Sequence, residues 1–137
     1  MASDAEMISR AQTEVLENAI WLTAVQVAEL ANLSTVSTNE QLSRWKQEAR
    51  IFSIKPAGSA ELFPAYGFDA SSSFRPIEEL ADVITILTAR KDGWGLAYWF
   101  ASVNGFLGGR RPQELLAVLP REVVAAANDE ASGVTHG

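Results

Sequence analysis

The segment from residue 92 to residue 116 holds the densest group of large apolar side chains in the chain, and it runs directly into Gly108-Gly109-Arg110-Arg111-Pro112. So much apolar surface is rarely left exposed, so the segment must form either part of a hydrophobic core or a docking surface. For Trp94, Trp99 and Phe100 we favour the core. The alternative is that one of them is an exposed anchor, because aromatic residues dominate interface hot spots.

The loop that ends this segment has the composition of a tight turn that leads into a helix. Gly108 and Gly109 provide the backbone freedom of a tight loop, and Pro112 is suited to open a helix. Two arginines at a helix N-terminus oppose the helix dipole by a few tenths of a kcal/mol each. Something else must favour Arg110 and Arg111. It is either an acidic side chain of the same chain, Glu114 or Asp92, or an acidic patch on a partner.

Composition excludes several kinds of catalytic site. The 137 residues contain no cysteine and a single histidine, His136, so one chain has no disulfide, thiolate nucleophile, His-centred triad or multi-His metal site. We also find no phosphate-binding loop and no nucleophile–base pair. We therefore expect a protein that is not an enzyme and uses no cofactor or metal.

The expected location and the charge distribution limit the kinds of partner that the protein can bind. No apolar run approaches the roughly 20 residues of a membrane span, and the first residues lack a signal-peptide pattern, so we expect a cytoplasmic protein without membrane contact. The net charge is −6, but residues 35–60 carry four basic against two acidic side chains, and residues 90–112 carry four against one. Each basic island is either a solvated surface or a focused contact for an anionic partner.

Capping signals place the first two helices. Ser3 and Glu6 form one capping-box pattern, which predicts a helix from about residue 4 to 18. Thr23 and Gln26 form a second, which predicts a short helix to about Ala31.

The next helix suggests a helix-turn-helix motif. Asn32-Leu33-Ser34 is typical of a turn, and a third capping box, Ser37 to Glu40, predicts where the following helix begins, so that Thr35 and Val36 are extra loop. Leu42, Trp45 and Ala49 mark its buried side. Its opposite side is polar and basic, as a recognition helix requires, although an ordinary helical hairpin would share the pattern. The candidate DNA contacts on this helix are Ser37, Asn39, Gln41, Arg44 and Lys46.

A wing-like hairpin is predicted directly afterwards. Residues 51–54 and 61–64 have strand-like composition and flank the turn cluster 55–58. Arg50 at its base and Lys55 at its tip are candidate phosphate contacts. The polar spacer 70–73 then marks a boundary between two halves.

The second half reads as helical. Periodicity predicts a helix over 76–90 that Pro76 opens, with Arg90 and Lys91 in its last turn and Gly93 as its terminator. A short apolar helix over 96–101 follows, and Pro112 and Pro120 open two more. The predicted fold is mostly α with a small β-hairpin. It comprises a helix-turn-helix-like region with a wing over 1–69, a small helical bundle over 74–128 and a mobile tail over 129–137.

The residues of this second half resemble a known family. Trp94, Trp99-Phe100, Asn104, the Leu107–Pro112 loop, Leu115-Leu116 and residues 123–127 together look like the toxin-binding domain of the Xre/MbcA/ParS antitoxin family. Leu22-Thr23, residues 27–30, Trp45-Lys46 and residues 50–68 resemble the DNA-binding half of the same family. The resemblance covers about residues 20–127.

The resemblance implies a function. A protein of this family binds its own double-stranded operator DNA, neutralises a partner toxin of the RES-domain type, which consumes NAD, and is usually oligomeric, here a homodimer. The toxin-binding residues it implies are Trp94, Asn104, Phe106, Arg110 and Arg111. The alternative is a DNA-binding transcription regulator whose C-terminal half dimerises and has no toxin partner.

Overall fold

The computed structural model describes residues 3–133, and residues 134–137, which include His136, lie outside it. Seven α-helices and two small antiparallel β pairs form this part of the chain, which confirms a mostly α fold with a small β component. None of its helices is both long and apolar enough to cross a membrane. The helices are α1 Asp4–Glu17, α2 Ala24–Ala31, α3 Thr35–Gln47, α4 Glu78–Leu87, α5 Gly93–Ala101, α6 Pro112–Leu115 and α7 Pro120–Ala131.

The first two helices begin and end where their caps predict. The Ser3 hydroxyl accepts a hydrogen bond from the Glu6 amide at 3.1 Å, and α1 starts directly behind it. Thr23 and Gln26 complete a reciprocal capping box at the start of α2. Asn32 ends α2 in the left-handed conformation, which asparagine tolerates better than most residues.

The wing is smaller than predicted and uses a strand from elsewhere. A single bridge, Ile54 to Leu62, joins its two arms. The second arm then continues as β2 Phe63–Pro64, which pairs antiparallel with β1 Trp21–Leu22, the dipeptide before α2. The two capping signals leave Trp21-Leu22 unassigned between the first two predicted helices. A two-residue strand has no periodicity to reveal it, and it becomes a strand only when β2 supplies the partner.

The polar spacer forms a defined turn. Its residues lie in a 3-10 helix, Ala70–Ser72, inside a hairpin that pairs β3 Phe68–Asp69 with β4 Arg75–Pro76. The Asp69 carboxylate accepts hydrogen bonds from the hydroxyls of Ser71 and Ser72 and from the Ser71 amide. These bonds lower the pKa of Asp69. The position of a boundary between two halves stays a prediction.

Two helix ends in the second half differ from prediction. Pro76 does not open α4 but pairs as β4, so α4 begins at Glu78, and it ends at Leu87 before Arg90 and Lys91. Gly93 does not terminate a helix but begins α5, because the Asp92 side chain accepts a hydrogen bond from the Gly95 amide at 2.8 Å. A glycine after a helical pattern is an ambiguous signal, since the aspartate before it is an equally good N-cap.

The last two helices begin at prolines. Pro112 opens α6 and Pro120 opens α7, as predicted. Helix α7 continues to Ala131, so residues 129–131 of the predicted mobile tail are helical.

Two hydrophobic clusters hold these elements together. The first lies between α2, α3 and the β pairs and contains Leu22, Val27, Leu42, Ile51, Phe63, Phe68 and Phe74. The second joins Val15 of α1 and Phe52 and Ile54 of the wing to the buried faces of α4, α5, α6 and α7. The wing therefore contributes to both clusters, and through it the first half packs against the second.

The side chain of Tyr66 packs against the second cluster but buries a polar group there. Its ring lies among Trp21, Phe52 and Phe100, with centroid distances of 6.1, 6.4 and 5.1 Å, and its hydroxyl is buried without a hydrogen-bond partner among the described residues. Burial of the phenol raises its pKa well above the ordinary value. An unsatisfied buried hydroxyl costs free energy that a phenylalanine would not.

We therefore expect the Tyr66→Phe variant to gain about 1 kcal/mol in free energy of unfolding at neutral pH. The pH dependence should change as well. Because the folded-state pKa lies above the unfolded value of about 10, the wild-type protein loses stability as pH rises above about 10, and Tyr66→Phe should not show this loss. Urea unfolding at about pH 7 and about pH 11 tests both points. Tyr98→Phe is the matched control, since the Tyr98 side chain is about half exposed. A loss of stability in Tyr66→Phe at neutral pH would mean that the hydroxyl has a bonding partner.

Candidate nucleic-acid interface

Helices α2 and α3 form a helix-turn-helix with a tight turn. Only Asn32, Leu33 and Ser34 separate them, and the Leu33 amide donates to the Ala28 carbonyl at 3.0 Å. The predicted extra loop is wrong, because Thr35 and Val36 form the first turn of α3. Three residues are the usual length of the turn in this motif.

The cap of α3 is Ser34 and not Ser37. The Ser34 hydroxyl accepts from the Ser37 amide at 3.2 Å and donates to the Ser37 hydroxyl at 3.0 Å. Both serines precede helical sequence, and the Glu three residues after Ser37 made it the stronger capping signal. With Ser34 as the cap, Glu40 is the sixth helical residue and not the third, and it has no capping role there.

The exposed side of α3 forms one continuous surface, which we call the open face. Thr38 and Leu42 turn inward and are buried, at 2% and 3% exposure. The opposite side carries Val36, Asn39, Glu40, Ser43, Arg44 and Gln47, of which the last five line one shallow groove. Three of these, Asn39, Ser43 and Gln47, carry the hydroxyl and amide groups that read base edges, and Arg44 is the single cation among the six. Of the other predicted contacts on α3, Ser37 is exposed and Gln41 is half-buried at its flank.

Lys46, a predicted DNA contact, is held by the wing. Its ammonium pairs with the Glu61 carboxylate, which also accepts a hydrogen bond from the Ser53 hydroxyl at 2.5 Å. Partial burial raises the pKa of Glu61, but the hydrogen bonds from Lys46 and Ser53 and the Lys46 charge outweigh it, so the pKa lies below its usual value. Lys46 thus links the end of α3 to the second arm of the wing, and Glu61 links that arm to Ser53 of the first arm. The sequence does not reveal this role because Lys46 and Glu61 are distant along the chain.

The remaining predicted contacts follow α3. Helix α3 ends in a Schellman motif in which Ala49 adopts a φ of +57° and the Arg50 amide donates to the Trp45 carbonyl at 2.8 Å, so Ala49 lies beyond the helix. This turn places the Arg50 guanidinium 5.8 Å from the centroid of the Trp45 ring, and Glu48 lies 3.9 Å away. Lys55 is exposed at the start of the wing turn.

A comparison of whole structures supports this architecture. The fold is similar to that of Rv2175c, solved by NMR. The sequences are 20% identical, the TM-score is 0.65, and the match covers 83% of this chain and 82% of that one. This similarity establishes the fold alone. No protein-family model and no curated protein matches the chain.

The arginine pair of the Gly-Gly-Arg-Arg-Pro loop has partners within the chain. Arg110 bonds Glu114 at 3.2 Å, and Arg111 lies 3.5 Å from the same carboxylate. Arg111 also donates to the Ala101 carbonyl at 2.9 Å, which fixes the loop against the end of α5. Of the two candidate acids in the chain, Glu114 therefore offsets the dipole penalty and Asp92 caps α5.

Of the other toxin contacts that the resemblance implies, one shapes the loop and two are at least partly accessible at the surface. The Asn104 side chain accepts from the Phe106 amide at 2.9 Å, and its backbone bridges Arg110, so it shapes the loop. Trp94 is half-buried against the second cluster, while Phe106 is 51% exposed. The preference for burial is confirmed for Trp99 and Phe100, at 5% and 0% exposure. Within residues 3–133 no group of His, Cys, Asp or Glu side chains is placed to hold a metal.

Proposed function

We propose that this protein binds double-stranded DNA through α3 and the wing and acts as a transcription regulator. The observation that carries the proposal is the open face of α3. It presents base-reading side chains on the exposed side of the second helix of a helix-turn-helix with a three-residue turn. The width of a major groove admits one α-helix, so such a face can meet base edges directly.

The wing supports this use of α3. The pairing of Lys46 with Glu61 holds the wing beside the end of the recognition helix, and exposed Lys55 lies at its turn. A cation there reaches a phosphate next to the groove that α3 occupies. Because the protein carries a net charge of −6, this short-range contact must overcome the long-range repulsion between the protein and the negatively charged DNA.

Arg44→Ala tests the proposal. We expect weaker binding to a duplex selected from a random library, and a slope of log affinity against log salt that is shallower by about 0.9, since one phosphate contact is lost. Fluorescence anisotropy over a range of salt concentrations measures both. Arg121→Ala, which removes one exposed cation from α7, is the matched control and should bind as wild type does. Equal affinity and slope in Arg44→Ala would show that α3 is not the interface.

Toxin neutralisation, which the family resemblance implies, stays a second proposal. The observation that favours it is the half-exposed Phe106 ring beside the Gly-Gly-Arg-Arg-Pro loop, since an exposed aromatic is a typical interface anchor. Arg110 and Arg111 support it less, because Glu114 already pairs with both. We therefore place DNA binding first.

A further inference from the structure

The carboxylate of Glu40 is the feature of the open face that DNA binding alone does not explain. Glu40 lies two residues after Thr38 and two before Leu42, which places it about 160° around the helix from each of these buried residues. Its side chain therefore stands near the centre of the open face, in the groove that Asn39, Ser43, Arg44 and Gln47 also line. A negative charge at that point repels phosphates and weakens unspecific binding.

No structural role accounts for this carboxylate. Within residues 3–133 it has no hydrogen-bond or ion-pair partner, and Arg44, one turn later, does not pair with it. Glu40 is the sixth residue of α3, beyond the first turn in which an acidic side chain favours the helix dipole. It is also not the capping glutamate that its position after Ser37 suggested.

In a major groove a carboxylate has a narrow choice of partners. It can only accept hydrogen bonds, and the groove edges of guanine and thymine present acceptors that repel it. The amino group of cytosine offers a donor without the adjacent N7 acceptor that adenine carries.

We propose that Glu40 is a specificity residue that selects a cytosine in the DNA site, by accepting a hydrogen bond from the cytosine N4 amino group. The inference rests on the proposed DNA binding through α3. Val36, one turn earlier and 70% exposed, offers an apolar contact for a thymine methyl group next to this cytosine.

Selection from a random duplex library, carried out with the full chain and its Glu40→Gln variant, tests the inference. We expect the wild-type motif to contain one position with a strong cytosine preference. In Glu40→Gln that preference should fall by at least about fivefold and move towards adenine, because glutamine pairs with the adenine edge. Binding to an unselected duplex should be equal or stronger, since a negative charge is lost.

The matched control is Glu29→Gln, which removes the same charge from an exposed position on α2 and should keep the cytosine preference. Thermal unfolding of both variants checks that they fold as wild type does. A motif without such a cytosine, or an identical motif in Glu40→Gln, would overturn this inference and leave DNA binding intact. Failure of the wild-type chain to bind any duplex would overturn the proposed function together with it.

Discussion

The Phe100→Ala variant is expected to lose about 3–5 kcal/mol of its free energy of unfolding. The Phe100 side chain is fully buried in α5 and lies against three other rings. Its centroid is 5.8 Å from that of Phe52 in a stacked pair, 5.1 Å from Tyr66 and 5.1 Å from Trp99. Truncation removes these contacts and leaves a cavity where the wing meets the helical second half. A loss of this size is a large share of the 5–15 kcal/mol that stabilises a typical domain.

Urea unfolding followed by tryptophan fluorescence measures the effect. Tyr98→Ala is the matched control, because Tyr98 lies on the same helix two residues earlier and is 49% exposed. We expect that control to lose less than about 1 kcal/mol. Similar losses in the two variants would contradict the assignment of Phe100 to the centre of the core.

The Gly93→Ala variant is expected to lose about 2 kcal/mol or more of its free energy of unfolding, although alanine is the better helix former. A Cβ atom at Gly93, the first residue of α5, would lie 2.2 Å from the Ser53 carbonyl oxygen of the wing. The clashing atom belongs to the backbone, so the clash is relieved only if the wing or the helix moves. Overpacking of this kind costs about 1–3 kcal/mol or more. The helix-propensity gain of up to about 1 kcal/mol is smaller.

Gly105→Ala provides the control for this prediction. Within the described part of the chain, and apart from its two chain neighbours, nothing lies within 4 Å of the position that a Cβ at Gly105 would take, and its φ is not positive. Chemical denaturation of the two variants should therefore show a large loss for Gly93→Ala and a change within about 0.5 kcal/mol for Gly105→Ala. An unaltered stability in Gly93→Ala would mean that the wing and α5 are further apart than the structure places them.

Local signals in the sequence were sufficient for most helices. Ser3, Thr23, Pro112 and Pro120 each lie where a helix begins, because a cap or a proline acts on its own backbone within a few residues. The helix-turn-helix and the side of α3 that faces outward followed from the same local reasoning. Where two local signals competed, as Ser34 and Ser37 do, the prediction chose the wrong one.

The candidate site itself was predicted only in part. Asn39 and Arg44 were identified from the polar side of α3, but Glu40 was missed because it was assigned to a cap. Lys46 was predicted to contact DNA, and the structure pairs it with Glu61, fifteen residues away in the chain. Neither hydrophobic periodicity nor a capping motif indicates an ion pair between residues so far apart in the sequence.

The sequence by itself determined most of the helices, the caps of α1 and α2 and the apolar faces that must be buried, since these depend on neighbours within about one or two turns. Only the tertiary structure decided that Trp21-Leu22 is a strand, that Gly93 must lack a side chain and that Lys46 pairs with Glu61. Each of these depends on a surface supplied by a distant part of the chain. Such surfaces meet only when the two hydrophobic clusters close around the wing, because burial of apolar area acts without regard to sequence separation.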